Sequence, residues 1–229
     1  MNELALFAGA GGGLLASELL GWRTICAVEW EPYPASVLCA RQNDGILPPF
    51  PIWDDVQTFD GRAWRGLVDV VSGGFPCQAF STAARGGNIA EKNMWPSMRR
   101  IIREVQPRYV FAENVTEYAI QQASSDLLED GYNSKYIKLS AADMGADHIR
   151  DRFWLLAYTD MHSQFCSTFN AEAPIMSQLC NGVWQTMPDQ LRVSYGMADR
   201  VDRLKAIGNG QVPLVATVAF LKLWDGITC

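Results

Sequence analysis

The chain has 229 residues, 48% of them hydrophobic, and its 19 basic against 25 acidic side chains give a net charge of −6. That length and apolar content support one domain, or one domain with a small appendage, and exclude a disordered chain; the acidic balance argues against a protein held to nucleic acid by bulk electrostatics. No apolar run approaches the ~20 residues of a membrane span, the first residues lack the basic start of a secretory signal, and six cysteines without a C-x-x-C pair, beside two histidines, argue against a zinc site or a disulfide framework. A cytoplasmic protein with no metal and no membrane partner is expected.

In chain order, ELALFAG (3–9) is apolar and ends on glycine, which predicts a strand running into a turn. GLLASELLG (13–21) has helical character, and TICAVEW (24–30) is β-branched and apolar again, so the chain opens as a βαβ unit. A helix is predicted around ASVLCARQN (35–43), followed by the proline-rich loop ILPPFP (46–51). VDVVSGG (68–74) reads as a buried strand ended by two glycines; the helix MRRIIREV (98–105), the strand YVFAENV (109–115) and the helix YAIQQASSDLLEDG (118–131) follow. Two strand-like runs, 136–139 and 153–158, close this half. From 159 to 198 the periodicity fails and irregular structure is expected. QVPLVATVAFLKLWDGI (211–227) is an apolar helix after the GNG turn. The fold class is α/β, with a mostly parallel sheet flanked by helices.

Several features carry chemistry. The glycine cluster FAGAGGG (7–13) resembles the dinucleotide loop G-x-G-x-x-G but has Leu14 at the third glycine position. Glycines there let backbone N–H groups and a helix N-terminus approach a ligand, although a tight turn with close helix packing would account for the same residues. At the end of the second strand Glu29 is placed to accept hydrogen bonds from ribose hydroxyls, and Trp30 to stack on an adenine. Together they point to an adenosine-containing cofactor, either NAD or S-adenosylmethionine.

Cys77, in GGFPCQAFS (73–81), follows the carboxyl end of a strand, the edge at which open α/β sheets bind ligands. In other settings a free cysteine is a small buried apolar residue. Glu113 stands near the end of an apolar strand, where a carboxylate is costly without a partner or a task. Arg150 and Arg152, in HIRDRFWLLAY (148–158), alternate so that both guanidiniums point to one face. Packing, ion pairing and a solvated strand edge would explain these residues singly. None of them explains the set beside a cofactor loop.

With these residues in place, the sequence resembles the cytosine-C5 DNA methyltransferases of bacterial or phage type, with ordered matches over 6–158 and again over about 200–213. FAGAGG resembles the family's cofactor loop, EW its ribose and adenine contacts, and Asp55 in WDDV its adenine-edge acid. GGFPCQAFS resembles the nucleophile motif, ENV the second catalytic motif, and HIRDR the Q-x-R-x-R motif, with His148 in place of glutamine. AIGNGQVP (206–213) is similar to the late motif that returns to the cofactor pocket.

The resemblance implies a Rossmann-like S-adenosylmethionine-dependent methyltransferase fold. Residues 1–158 would form the catalytic and cofactor-binding core, 159–198 a reduced target-recognition segment, and 199–229 a return to the core. S-Adenosyl-L-methionine would be held by Phe7, Gly9, Ala10, Gly11, Gly12 and Leu14, by Glu29, Trp30, Asp55 and Val56, and by Gly74, Pro76, Met94, Asn209 and Gly210. Cys77, Glu113, Arg150 and Arg152 would be catalytic, and Pro76, Gln78, Ser81, Asn114 and Val115 would hold the target base.

The implied reaction makes physical sense of these residues. Cytosine C5 is a poor nucleophile; addition of the Cys77 thiolate to C6 moves electron density onto C5, while a protonated Glu113, steadied by Arg152, relieves the charge building toward N3. C5 then takes the methyl group, loses its proton, and Cys77 is expelled. A thiolate is both a strong nucleophile and a good leaving group. The base must leave the duplex first, and STAARGGNIAEKN (81–93) resembles the mobile loop that closes over it.

Family members usually carry a sizeable target-recognition region between the arginine and late motifs; here 159–205 lies between them, with few positive charges before Arg192. Base-edge readout needs side chains placed in a groove. Three explanations stay open: relaxed or short-site specificity, a homodimer or partner subunit that completes the hold on double-stranded DNA, or a copy that no longer acts on DNA. The rival functions are RNA cytosine methylation and a non-catalytic cofactor-binding role. A restriction-modification setting is what the resemblance implies.

Overall fold

The computed structural model describes residues 1–76, 93–159, 202, 205–206 and 208–225. Its centre is a seven-stranded sheet built from β1 (Asn2–Leu6), β2 (Arg23–Val28), β3 (Ile52–Trp53), β4 (Val70–Gly74), β5 (Tyr109–Asn114), β6 (Asn133–Ser140) and β7 (Asp151–Tyr158). The order is β3-β2-β1-β4-β5-β7-β6. β1 to β5 pair in parallel, and β7 runs antiparallel to both β5 and β6.

Strand alternation sorts the side chains into two layers. Leu4, Leu6, Cys26, Val28, Val71, Val110 and Ala112 face α3 (Trp95–Val105) and α4 (Glu117–Glu129). Ala5, Ala27, Val70 and Phe111 face the other way, toward α1 (Gly12–Leu19), α2 (Pro32–Asn43) and α5 (Pro213–Asp225). In α3 the buried Met98, Ile101, Ile102 and Val105 recur at helical spacing, while Arg99 and Arg103 point outward onto Asp130. α5 has no polar face: Leu214 to Leu221 are all buried, as its composition requires. Trp22 and Phe220 meet edge to face at 4.7 Å between ring centres, locking α5 to the sheet.

One polar cluster is set into this core. Glu3, 1% exposed, accepts from Ser17 Oγ at 2.8 Å, Thr24 Oγ1 at 2.7 Å and Ser72 Oγ at 2.5 Å, so one carboxylate joins α1, β2 and β4 to β1. Burial pushes its pKa up, and the three hydroxyls oppose that shift.

The structure differs from the sequence reading at element ends. β1 stops at Leu6 because Phe7 turns into the left-handed region, with φ of 54°. α2 starts at Pro32, where proline suits the first turn of a helix. β3, a two-residue edge strand after the proline-rich loop, has no counterpart in the reading, and β6 and β7 both extend beyond 136–139 and 153–158. Of residues 159–198, expected to be irregular, all but Thr159 lie outside the described residues, as do 226–229.

Gly12 opens α1 with no room for a side chain, since a Cβ there would stand 2.0 Å from the Gln211 carbonyl oxygen. Gly12→Ala is expected to lower stability by about 1–3 kcal/mol, the range for forced overpacking. Urea denaturation reads this as a lower midpoint at unchanged slope; an unchanged midpoint would mean that residue 211 does not pack on α1.

Candidate active site

Because β1, β2, β4 and β5 run in parallel, their carboxyl ends meet at one edge, and the residues just past them line a single cavity of about 620 Å³. This is where open α/β sheets place ligands.

At one end the glycine loop is tied to the second strand. Ala8 N donates to Val28 O at 3.1 Å and Gly9 N to Glu29 Oε2 at 2.6 Å, while Glu29 Oε1 accepts from Glu31 N at 2.8 Å. Glu29 is buried, which raises its pKa; the backbone donors oppose the rise. Trp30 beside it is 68% exposed and offers an open ring face. Asp55 Oδ1 accepts from Gln57 N at 2.8 Å, which fixes the turn bearing Asp55 and Val56 on the cavity wall. Glu31 pairs with Lys205 at 2.8 Å, joining the segment after β2 to the late motif. With Glu29, Glu31, Asp54, Asp55 and Asp202 set against Lys205, this end favours a cationic ligand.

At the other end stands Glu113. It pairs across the ladder with Trp154, so Arg152, two residues along β7, falls on the same face, and Arg152 Nε lies 2.9 Å from Glu113 Oε1. Burial pushes the Glu113 carboxyl up to about 7, against the opposing pull of Arg152, Arg150 and a hydrogen bond from Gln211. Asn114 Nδ2 donates to Phe75 O at 2.9 Å, tying the ends of β4 and β5 together, and its Oδ1 accepts from Thr116 N at 3.1 Å. Pro76 O accepts from Met94 N at 3.0 Å, which fixes Pro76 on the cavity wall.

Most of the residues singled out from the sequence meet here. Phe7, Gly9, Glu29, Trp30, Asp55 and Val56 line the cavity with Gly74, Pro76, Met94, Asn209 and Gly210; Glu113, Asn114, Val115 and Arg152 complete it. Ala10, Gly11, Gly12 and Leu14 are not on its wall. Leu14 is 1% exposed in the cluster with Leu38, Leu47 and Phe50; Gly11 packs against Leu38 and Gly12 against Gln211, so these residues support the loop from behind. Arg150 precedes β7, so strand alternation does not govern it: its Nη2 donates to Gly208 O at 2.7 Å and Gly210 O at 2.6 Å, bracing the late motif. His148 is half exposed beside Asp147 and does not line the cavity. Cys77, Gln78 and Ser81, with most of the 81–93 stretch, lie outside the described residues.

The sequence reading did not single out Glu31, Asp54, Lys205 or Gln211. Asp54 adjoins Asp55 and Gln211 adjoins Gly210, so motif proximity was a signal for both; the Glu31–Lys205 pair, separated by 174 positions, has no local signature.

A parallel run in the order 3-2-1-4-5, extended by an antiparallel strand wedged before the sixth, with a glycine loop and two buried acids at its carboxyl edge, defines the Rossmann-like fold of S-adenosylmethionine-dependent methyltransferases. The sheet of dinucleotide-dependent oxidoreductases, ordered 3-2-1-4-5-6, has no such strand. A profile of the C-5 cytosine-specific DNA methylases matches residues 1–217, and the chain belongs to that family. It is 29% identical over 172 residues to the Type II methyltransferase M.NgoMIV of Neisseria gonorrhoeae, covering 72% of this chain and 54% of that one. It is 28% identical over 212 residues to M.HhaI of Haemophilus parahaemolyticus, covering 88% and 61%. The solved S. pombe Dnmt2 methyltransferase shares the fold, with a TM-score of 0.56 at 21% identity over 70% of this chain and 50% of that one. The chain therefore spans between half and about three fifths of the length of these three relatives.

Proposed function

We propose that this chain methylates C5 of cytosine in double-stranded DNA with S-adenosyl-L-methionine as methyl donor. The observation that carries the reading is the single cavity that runs from Glu29 to the Glu113–Arg152 pair, with Pro76, the chain neighbour of Cys77, on its wall. Its carboxylate-rich end fits a cationic, adenosine-bearing molecule. Phe7, Gly9, Glu29, Trp30, Asp55 and Val56 would hold that molecule together with Gly74, Pro76, Met94, Asn209 and Gly210. When bound, it supplies an electrophilic methyl group.

The chain's own residues act on the base. The Cys77 thiolate forms a bond to C6, and the electron pair it displaces becomes available at C5. Glu113, protonated on its carboxyl, donates toward N3 and offsets the charge gathering there, while Arg152 fixes the acid beside the base. After C5 has gained the methyl group and a base has taken the C5 proton, the C6–S bond breaks and the thiolate is restored. Asn114 and Val115 border the space the ring would occupy, and Gln78 and Ser81 adjoin Cys77 in the chain. No described helix is long and apolar enough to cross a membrane, and a cytoplasmic place of action is part of the proposal.

Transfer of labelled methyl to unmethylated DNA, with total tRNA in parallel, tests the reading. Label recovered as 5-methylcytosine in DNA supports it, and label in RNA alone would move the substrate class. With cofactor bound and neither polymer labelled, the chain would not be an enzyme acting by itself, and a partner subunit would be sought.

Glu29→Ala is expected to weaken cofactor binding roughly 10–100-fold, the scale of a hydrogen bond to a charged group. Isothermal titration of S-adenosylmethionine reads it directly, and an unchanged affinity would remove Glu29 from the site.

A further inference from the structure

Gln211 lies where three separated stretches of chain meet. Its carbonyl oxygen is 2.0 Å from a Cβ built on Gly12, its side-chain Oε1 is 2.5 Å from one built on Gly13, and its Nε2 is 3.2 Å from one built on Gly74. Bare backbone at all three positions is what admits it. The Cβ built on Gly74 also stands 2.6 Å from Glu113 Oε2, so amide nitrogen and carboxyl oxygen converge there, and the Gln211 side chain hydrogen-bonds Glu113. The other carboxyl oxygen, Oε1, is buried, stands 2.9 Å from Arg152 Nε and has no aligned hydrogen-bond partner among the described residues. Arg150 holds the turn that precedes Gln211 through the carbonyls of Gly208 and Gly210.

We propose that Gln211 is a positioning residue for the acid: its amide holds Glu113 Oε2 against Gly74 while Arg152 stands at Oε1, so the carboxyl group is fixed from both sides beside the space for the target base. The inference deepens the methyl-transfer reading and rests on it for its catalytic consequence. A carboxyl with a donor on one oxygen and a guanidinium at the other cannot turn about its last bond without losing both contacts. Glutamine suits the place because its two amide atoms point apart, the oxygen over Gly13 and the nitrogen on Glu113. The same side chain thereby links the orientation of the acid to the glycine loop.

The test reads the ionisation of Glu113 by itself, from its infrared carboxyl band, assigned by the band's loss in Glu113→Gln. Gln211→Met keeps the length and removes the donor; Gln211→Glu keeps the shape and replaces the donor with a like charge, so that a folding failure of the first leaves the second to decide. Each is expected to raise the Glu113 midpoint by roughly one pH unit or more, because a donor that favours the ionised carboxylate is gone. In methyl transfer the loss should fall on kcat, not on KM for DNA. A purely structural Gln211 would lower thermal stability and leave the midpoint in place, and that result would overturn the proposal. If the midpoint moves while the unaltered protein transfers no methyl group, the contact stands and the methyl-transfer reading fails.

Discussion

Cys77→Ser is expected to reduce methyl transfer by roughly 10⁴-fold or more, the scale on which loss of a covalent nucleophile registers. Cofactor binding should be nearly unaffected. The argument is chemical first. A few per cent of an ordinary thiol is ionised at neutral pH, whereas a serine hydroxyl has no comparable anionic fraction and makes a far poorer leaving group. It is also positional, since one peptide bond joins residue 77 to Pro76, whose carbonyl is held by Met94 on the cavity wall. The two cysteines among the described residues do not compete for the role. Cys26 is buried in β2, where desolvation pushes its thiol up to about 11, and Cys39 is exposed on α2, away from the cavity. Single-turnover transfer of labelled methyl, with Cys39→Ser as the control, decides the matter: full activity in Cys77→Ser would sink the covalent mechanism.

The parts of this molecule that were legible in its sequence are those whose physics is local. Continuous apolar runs marked β1, β2, β4 and β5, those of β1 and β4 ended by glycine, since a buried parallel strand needs both faces apolar. Glu29 and Glu113 stood out for the same reason in reverse, as carboxylates near the ends of such runs. What was not legible depends on contacts between distant residues or on single torsions. Phe7 has a strand-forming side chain, yet its left-handed backbone ends β1 two residues before the first glycine of the run. β3 is two residues at an edge, too short for any periodicity. Leu14 was read into the cofactor site from its place in the glycine cluster, but it is the first buried apolar residue of α1 and belongs to the packing beneath. Arg150 and Arg152 share a spacing of two, yet β7 starts between them, and only Arg152 is committed to Glu113 by the ladder. Gln211 gains its meaning only once Gly12, Gly13, Gly74 and Glu113 are folded around it.

Glu113→Gln should produce the second large loss, roughly 10²–10⁴-fold in kcat, the usual contribution of a positioned general acid. The amide can still offer a hydrogen bond toward N3 but has no proton to give. The pH dependence separates these roles. With the folded pKa near 7 and an ordinary value of 4.5, folded protein holds more protons on this group than unfolded protein does between those limits. Native stability therefore falls as pH rises through that window, by roughly 3 kcal/mol in full, and the cost is completely present above about pH 7. Glutamine does not titrate. The stability of Glu113→Gln relative to the native chain should thus climb between about pH 5 and pH 8, even as its activity is lost, and paired urea titrations at the two pH values would record the divergence. If the proposed methyl transfer holds, kcat of the native chain should decline above about pH 7 as the acid ionises, a limb that the variant should not show. A native profile flat across that range, or a variant whose stability relative to the native chain does not change with pH, would mean that Glu113 does not titrate between about pH 5 and pH 8 and that its ionisation does not limit the reaction.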